Sequence, residues 1–382
     1  MDMALKRTWA EIDLDNLAHN FQVIRKQVGP RPKLLGVVKA DAYGHGAVHV
    51  ARKLEALGAA YLAVSNIEEA EELRAGGITL PILMLGWTPT DQAERIVRLN
   101  MTQDVPDLET ARAYDEAAAR LGKKLKVHIK LDTGMGRLGF FCDDAHFEAS
   151  LRDILAVTRM EHLDVEGVFT HFAVSDEDAP EHVAFTRLQH ERFSRMIDAV
   201  EAAGEFRFGL KHCCNAGGIA SYPEWAADMV RCGIILYGAG DLAERMGMKP
   251  VMTFKTTVSA IRDFAPDTSI SYGRTYVTDR PARIAMLPVG YADGLHRALS
   301  NKLTVRTPCG AARQVGRICM DMCMIDVTGQ PELRLGDEVE IFGENVLCET
   351  LAKQCGTISY ELLCAVSKRV PRHYFENGVR IG

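Results

Sequence analysis

Short apolar runs alternate with amphipathic stretches over the first two thirds of the chain. The apolar runs predict eight buried strands, over residues 35–39, 61–65, 82–85, 102–105, 126–131, 165–171, 208–213 and 234–237. Helical patterns fill the seven gaps, over residues 48–57, 67–75, 91–99, 107–121, 143–156, 179–203 and 225–230. Strands and helices that alternate in this way are typical of a parallel (β/α)8 barrel of the TIM type, so we predict an α/β fold.

The hydrophobic pattern changes after about Arg245. Apolar and polar residues alternate over 254–261, 283–287, 313–318 and 338–342, and Gly, Pro and Asp separate these runs. Such alternation predicts half-buried strands. We therefore predict two domains, the barrel over residues 1–244 and a C-terminal mostly-β domain over residues 245–382. The opening stretch 7–13 fits an extra strand of either domain.

The composition is that of an ordinary globular protein, and it argues against several classes of function. The net charge of −6 argues against nucleic acid as the main partner. No apolar run approaches the roughly 20 residues that span a bilayer, and the first residues lack the apolar core of a signal peptide. The ten cysteines have no framework or zinc-ligand spacing, so we expect reduced thiols, no metal site and a cytoplasmic location.

Polar and reactive side chains follow the predicted barrel strands at their carboxyl ends. They are Lys39, Ser65, Lys130, His171 and Asn215. In a (β/α)8 barrel these ends meet at one face, where the loops that carry catalytic residues converge. Lys39 follows an apolar run, and desolvation there favours the neutral amine that Schiff-base chemistry requires. The alternative at such a position is a solvated, structural lysine.

A second motif invites a different interpretation. The segment 134–139 (GMGRLG) matches Gly-x-Gly-x-x-Gly and follows a predicted strand. In a Rossmann fold this pattern binds dinucleotides. Here it follows the fifth strand of a barrel-like series, and no clear ribose-binding acid follows at the required distance. We therefore do not assign a dinucleotide to it.

Eight segments of the chain resemble the site segments of bacterial alanine racemases, in the same order. In the barrel they are 38–46 (VKADAYGHG), 130–139 (KLDTGMGRLG), 169–172 (FTHF) and 229–234 (MVRCGI). In the β domain they are 271–273 (SYG), 290–294 (GYADG), 316–321 (GRICMD) and 357–361 (TISYE). The resemblance covers nearly the whole chain. It implies a two-domain enzyme that uses pyridoxal 5′-phosphate and acts as a head-to-tail homodimer with active sites shared between subunits.

The resemblance implies two bases on opposite faces of the substrate α-carbon. Lys39 bonds the cofactor and acts on the D-enantiomer. Tyr272 of the partner subunit is the opposing base. A free tyrosine ionises near pH 10, so such a base requires cationic or hydrogen-bonding neighbours to act near neutral pH. The substrate implied is alanine, and the D-alanine formed serves peptidoglycan synthesis.

The resemblance also assigns residues to the cofactor. Arg231 donates to the pyridine nitrogen, and because arginine only donates, that nitrogen stays unprotonated and the ring is a weaker electron sink. His171 orients Arg231. The remaining cofactor residues, most of them around the phosphate, are Tyr43, Asn215, Gly233, Ile234 and Tyr360.

Further residues are implied around the substrate. Arg137 contacts the cofactor and the substrate carboxylate, and the backbone amide of Met320 meets the same carboxylate. The supporting residues are Lys130, Tyr291, Arg297 and Asp321. In the family the lysine at the position of Lys130 is often carbamylated, which turns a cation into an anion that steadies the arginine. An unmodified lysine in a surface ion pair is the alternative.

One position departs from the family pattern. Ala216 follows Asn215, where the family usually has a serine whose hydroxyl binds the phosphate. One neutral hydrogen bond is worth about 0.5–1.5 kcal/mol, so we expect cofactor affinity to fall by about tenfold or a water to substitute.

Three alternatives stay open at the level of sequence. A serine or broad-specificity racemase differs little, because a small pocket discriminates weakly against one added hydroxyl. A pyridoxal-phosphate decarboxylase has a similar architecture, but it pairs the ring nitrogen with a carboxylate, and Arg231 argues against it. A non-enzymatic pyridoxal-phosphate carrier has no β domain, so the residues from 245 onward argue against that.

Overall fold

The computed structural model describes residues 7–204 and 206–381 and separates into two compact units. The barrel unit comprises Phe21–Ala42 and Ala47–Leu236, and the C-terminal unit comprises residues 7–20, Tyr43–Gly46 and 237–381. The α/β fold class is confirmed, because a parallel barrel with surrounding helices precedes a mostly-β domain. The boundary between residues 244 and 245 stays a prediction.

Eight parallel strands form the barrel. In sheet order they are Met229–Cys232, Lys33–Val37, Tyr61–Val64, Ile82–Met84, Met101–Val105, Leu125–Asp132, Leu163–Phe169 and Leu210–His212. Their residues are largely buried on both faces, as expected for strands that are covered by helices outside and by side chains inside. Asp228 N donates to Lys211 O at 3.0 Å and Arg231 N donates to Cys214 O at 3.0 Å, so the two ends of the sheet meet and the barrel is nearly closed.

The helices between the strands bury one apolar face each. In Ala47–Ala56 the buried residues lie at helical spacing: Ala47, Val50, Ala51 and Leu54. The other right-handed helices up to residue 221 are Leu14–Val28, Ile67–Ala75, Ala93–Arg98, Leu108–Arg120, Phe147–Thr158, Pro180–Ala202 and Ala216–Ser221. The helical segment Lys39–Gly44 is left-handed. Within the described ranges, no helix combines the length and the apolar character that crossing a membrane requires.

The last barrel strand differs from the prediction. The strand is Met229–Cys232, whereas the predicted strand 234–237 is a 3₁₀ helix. The predicted helix 225–230 is also wrong, because the 3₁₀ turn Pro223–Trp225 ends at its first residue and residues 229 and 230 belong to the strand. Both apolar runs are too short for their period to separate strand from helix, and parallel pairing with Lys33–Val37 selects the first one.

The C-terminal unit contains a ten-stranded sheet. Its order is Ala260–Phe264, Ala282–Leu287, Cys323–Asp326, Gly310–Val315, Thr304–Thr307, Glu338–Phe342, Met252–Thr257, Thr8–Asp13, Arg372–Glu376 and Val379–Arg380. The opening strand therefore belongs to this unit. The smaller elements are the strand pair Ser269–Ile270 and Tyr276–Val277 and the helices Asp241–Arg245, Cys348–Cys355 and Ser359–Ala365. The pattern over 254–261, which resembles one strand, is divided between two strands that are not neighbours in the sheet.

Candidate active site

Lys39 begins a left-handed turn at the carboxyl end of a barrel strand. The backbone φ angles of Ala40, Asp41, Ala42 and Tyr43 lie between 52° and 54°. This conformation costs an L-residue roughly 1–2 kcal/mol, so the surroundings must hold the turn in place. The sequence pattern contains no signal for it, because none of these four residues is a glycine.

Glu69 holds the turn from the neighbouring helix. Its Oε1 accepts from the backbone N–H of Ala40 at 2.7 Å, and its Oε2 accepts from that of Ser65 at 2.8 Å. Asn66 caps the same helix by accepting from Glu69 N at 2.9 Å, which fixes the backbone of Glu69. Glu69 was not predicted from the sequence, because an acidic residue in the first turn of a helix is too common to signal a function.

Arg231 is buried and surrounded by neutral acceptors. Its Nη2 donates to the carbonyl oxygens of Thr170 at 2.7 Å and Cys213 at 3.0 Å. Its Nη1 donates to the carbonyl oxygen of His212 at 3.1 Å and to Nδ1 of the same residue at 3.1 Å. Burial lowers the pKa of Arg231 to about 10, so it stays a cation near neutral pH. None of these acceptors is a carboxylate.

Two histidines contact the guanidinium, although the sequence pointed to one. Nδ1 of His171 lies 3.4 Å from Nη2 of Arg231, so His171 is in place to orient it. His212 makes the shorter contact and was missed, because a histidine inside a strand has no distinguishing sequence signal. Burial and the Arg231 cation hold the pKa of His171 well below its ordinary value, so this imidazole is neutral.

Lys130 is buried inside the barrel unit. It is 5% exposed, and its Nζ lies 4.2 Å from the centroid of the Phe169 ring. This burial contradicts the surface ion pair considered from the sequence. Burial and the nearby Arg231 hold the pKa of Lys130 well below its ordinary value, which favours the neutral amine. Asp104, which was not predicted from the sequence either, is buried and interacts with Lys130, and burial raises its pKa to about 7.

Arg137 is carried by a glycine-rich loop that Asp132 organises. The Asp132 carboxylate accepts from the backbone N–H groups of Gly134 at 2.9 Å, Gly136 at 3.1 Å and Arg137 at 3.0 Å. Gly139 has φ 125°, and a Cβ on it would lie 2.7 Å from Asp132 N. The glycines of the Gly-x-Gly-x-x-Gly match therefore serve this tight loop.

Asn215 connects two loops at the carboxyl ends of the barrel strands. Its Oδ1 caps the helix Ala216–Ser221 by accepting from Gly218 N at 3.1 Å, and it also accepts from Ser175 Oγ at 2.8 Å. Its Nδ2 donates to Phe172 O at 3.1 Å. These bonds fix the backbone of Ala216 at a helix N-terminus, the kind of position where backbone N–H groups bind anions. Gly233 and Ile234 directly follow the last barrel strand.

Two tyrosines predicted for the cofactor phosphate lie together in the C-terminal unit. The ring centroids of Tyr43 and Tyr360 are 5.9 Å apart, with their planes at 70°. Tyr43 is buried and its ring also contacts Tyr237, with centroids 5.0 Å apart. Tyr360 lies on the helix Ser359–Ala365 and is exposed. The structure therefore brings this predicted pair together although 317 positions separate them in the sequence numbering.

Tyr272, Tyr291 and Met320 lie on neighbouring segments and are exposed. Ser271 Oγ donates to Arg317 O at 2.6 Å, which places the Tyr272 turn beside the segment of Met320. The backbone of Tyr291 joins that segment as well, because its N–H donates to Cys319 O at 3.1 Å. The exposed fractions of Tyr272 and Met320 are 69% and 54%. Asp321 bonds Arg369 at 2.8 Å, and Arg297 begins the 3₁₀ helix Arg297–Leu299.

Three comparisons relate this chain to known proteins. Family models described as the N-terminal and the C-terminal domain of alanine racemase match residues 12–241 and 251–374. Alanine racemase 2 of Caldanaerobacter subterraneus subsp. tengcongensis is 45% identical over 381 residues, which cover 98% of this chain and 96% of the relative. A solved alanine racemase of Clostridium difficile superimposes with a TM-score of 0.93 at 41% identity and covers 100% of this chain and 98% of its own. A structure of the C. difficile protein in complex with cycloserine superimposes with a TM-score of 0.90 at 41% identity and covers 98% of this chain and 97% of its own.

Proposed function

The chain belongs to the alanine racemase family and is an amino-acid racemase, and from this premise we propose that it interconverts L-alanine and D-alanine with pyridoxal 5′-phosphate. The observation that carries the proposal is the environment of Arg231. A buried arginine that is held only by neutral acceptors presents a permanent donor where a decarboxylase of similar architecture would present a carboxylate.

The residues present fit this cofactor. Lys39 supplies an amine for its aldehyde. Both Nη atoms of Arg231 already donate to protein acceptors, and among the described residues none accepts from its Nε–H. That N–H would hold the pyridine nitrogen. The donors assigned to the phosphate are the hydroxyls of Tyr43 and Tyr360 and the backbone N–H groups of Gly233 and Ile234, with Asn215 as a further cofactor residue.

The cofactor, when bound, delocalises the negative charge that remains after the α-proton of an amino acid is removed. The protein supplies the two bases. Lys39 Nζ takes or returns the proton on one face of the α-carbon, and the phenol oxygen of Tyr272 does so on the other face. Because Arg231 donates and never accepts, it keeps the ring nitrogen unprotonated, and we infer that this limits side reactions such as transamination.

The substrate carboxylate is assigned to Arg137 and to the backbone amide of Met320. A planar guanidinium suits bidentate contact with a carboxylate, and Asp132 holds the loop that carries Arg137. Lys130, on the strand that precedes the loop of Arg137, is the site we propose for carbamylation, because a neutral amine can react with carbon dioxide and the product is an anion. Tyr291, Arg297 and Asp321 are assigned to the surroundings of the substrate.

We further propose that the enzyme is a homodimer with shared active sites and acts in the cytoplasm to supply D-alanine for peptidoglycan. The exposure of Tyr272 and Met320 supports the shared site, because site residues at the surface of one protomer are accessible to a partner subunit. A serine or broad-specificity racemase is the second candidate. Serine differs from alanine by one hydroxyl, and a small pocket lowers kcat/KM for such an analogue by about 100-fold at most.

The deciding experiment incubates the purified protein with L-alanine and pyridoxal phosphate. We expect D-alanine to accumulate to near equality with L-alanine, with no release of carbon dioxide. Release of carbon dioxide would identify a decarboxylase, and unchanged L-alanine would contradict the proposal. The ratio of kcat/KM values for alanine and serine, measured on the same preparation, decides between the two substrates.

A further inference from the structure

Asp293 is a fully buried carboxylate that binds two arginines. Its Oδ1 accepts from Arg7 Nη1 at 2.8 Å and from Arg369 Nε at 2.8 Å. Its Oδ2 accepts from Arg7 Nη2 at 3.0 Å and from the backbone N–H of Gly290 at 2.9 Å. Burial alone would raise the pKa of Asp293, but donation from the two arginines outweighs burial and lowers it. The carboxylate therefore stays ionised near neutral pH.

The two arginines also reach the neighbouring segment that carries Met320. Arg369 Nη2 donates to Asp321 Oδ1 at 2.8 Å, and Arg7 Nη2 donates to Asp321 O at 3.4 Å. Asp293 thus binds Gly290 of its own turn directly and Asp321 of the other segment through its arginines. A charged, bidentate arrangement of this kind fixes orientation as well as distance.

The turn Gly290–Gly294 and the segment of Met320 are also joined through their backbones. Tyr291 N donates to Cys319 O at 3.1 Å, and Ala292 N donates to Met320 O at 3.0 Å. A Cβ on Gly290 would lie 2.3 Å from Cys319 O and 2.4 Å from Met320 O. The two segments are in such close contact that a shift of the turn would move the Met320 backbone with it.

The Met320 amide is available for a ligand. Within residues 7–204 and 206–381 its N–H donates to no other residue, although its carbonyl accepts from Ala292. A backbone donor cannot be aimed by its own side chain, so its direction depends on the groups that hold the segment. Here those groups are Arg7 and Arg369, which bond Asp321 and are themselves bound by the buried carboxylate of Asp293.

We propose that Asp293 is a positioning residue for recognition of the substrate carboxylate. It locks the turn that carries Tyr291 to the segment whose Met320 amide meets that carboxylate, and Arg7 and Arg369 are its two cationic anchors. This inference rests on the proposed function, since the role of Met320 belongs to it. Asp293 lies in the matching segment 290–294, but the resemblance implies no role for Asp293, Arg7 or Arg369.

The test compares Asp293→Asn with the wild-type holoenzyme. Propionate is the binding probe, because it shares the carboxylate and carbon chain of alanine but has no amine. In Asp293→Asn we expect KM for alanine and Kd for propionate, the latter from calorimetry, to rise about tenfold, whereas kcat changes less than about threefold. A merely structural role would lower thermal stability without this split.

Glu340→Gln is the matched control. Glu340 is also a buried carboxylate of the C-terminal unit, and it accepts from Asn345 N at 2.7 Å and Val346 N at 3.0 Å. Among the described residues it has no hydrogen bond to the segments of Tyr291 and Met320. We expect this variant to lose stability while its KM and its propionate Kd stay at the wild-type values. Equal increases of KM in Glu340→Gln and Asp293→Asn would overturn the positioning role.

Arg369→Gln keeps the test informative if Asp293→Asn does not fold. Arg369 is partly exposed, and it contacts both Asp293 and Asp321. We expect the same increase in KM and in propionate Kd. A wild-type KM and a wild-type propionate Kd in Asp293→Asn would contradict the inference while leaving the racemase assignment intact. If Asp293→Asn is unfolded, wild-type values in Arg369→Gln would contradict it in the same way. Absence of racemisation by the wild-type enzyme would instead contradict the proposed function itself.

Discussion

Nη1 of Arg231 lies 3.1 Å from Nδ1 of His212, and both side chains are buried. Because arginine only donates, Nδ1 of His212 must accept, and the hydrogen of this neutral imidazole is then on Nε2. That Nε2 lies 3.0 Å from Nδ1 of His128, which accepts in turn. The remaining N–H of His128, at Nε2, is buried and has no partner among the described residues. The guanidinium therefore dictates the tautomers of both histidines.

The histidine pair predicts a loss of stability in acid. Burial lowers the pKa of His128 to about 4. Between pH 6.5 and 4, His128 is neutral in the folded protein but protonated in the unfolded chain. Its contribution to the free energy of unfolding is therefore complete above pH 6.5 and is lost as the pH falls to 4. In His128→Leu we expect the fall in unfolding free energy over this interval to be smaller by roughly 3 kcal/mol.

Urea denaturation at several pH values checks the prediction for His128. His146→Leu is the control, because the side chain of His146 is 58% exposed and its Nδ1 contacts Asp143 and neither histidine of the pair. Parallel pH profiles for wild type and His128→Leu would show that His128 is not the residue responsible.

The two proposed bases predict different consequences of mutation. In Lys39→Ala we expect loss of the absorbance of covalently bound cofactor together with loss of racemisation. In Tyr272→Phe we expect that absorbance to remain while racemisation falls by about 10²–10⁴, because the proton of one face is no longer transferred. Absorbance spectra and D-alanine formation, measured on the same samples, check both. Wild-type activity in Tyr272→Phe would rule out the two-base assignment.

The left-handed turn predicts that Glu69 affects catalysis indirectly. Glu69→Ala removes both hydrogen bonds that hold the backbone of Ala40 and Ser65, so the turn that begins at Lys39 loses its support. We expect kcat to fall by about tenfold or more, since small displacements of a reacting group are costly. Steady-state kinetics check this. The adjacent and exposed Glu68, as Glu68→Ala, should keep the wild-type kcat, and equal losses in both variants would point to helix stability instead.

The buried amine of Lys130 predicts a covalent modification. Because the pKa of Lys130 is held well below its ordinary value by burial, its neutral amine can form an N–C bond to carbon dioxide and release a proton. With ¹³C-labelled bicarbonate we expect a carbamate carbon signal in the NMR spectrum of the wild type that Lys130→Met lacks. Lys126→Met is the control on the same strand, since Lys126 pairs with Glu166 at 2.9 Å and is partly exposed. A signal that persists in Lys130→Met would place the modification elsewhere.

A serine at position 216 is expected to strengthen cofactor binding, because it restores the hydroxyl that the family usually has there. It is the first residue of the helix capped by Asn215. In Ala216→Ser we expect the Kd for pyridoxal phosphate to fall by up to about tenfold, which corresponds to one neutral hydrogen bond. Fluorescence titration of the apoenzyme measures it. Ala220→Ser on the same helix should leave the Kd unchanged, and an unchanged Kd in Ala216→Ser would mean that the position does not face the phosphate.

The sequence by itself determined the fold class and the family. Periodic apolar runs located seven of the eight barrel strands, and eight collinear segments carried the family resemblance, since short motifs in a fixed order depend on local residue identity. The same local information failed at the last strand. Met229–Cys232 and the run 234–237 are both short and apolar, and only pairing with Lys33–Val37 distinguishes them.

Only the tertiary structure decided how the site residues are held. The left-handed turn after Lys39 depends on the carboxylate of Glu69, 29 residues after Ala40. Asp293 binds Arg7, which lies 286 positions earlier in the sequence. Hydrogen bonds between groups so distant in sequence leave no local pattern, because each partner is an ordinary polar residue until folding places the two at contact distance and removes the water between them.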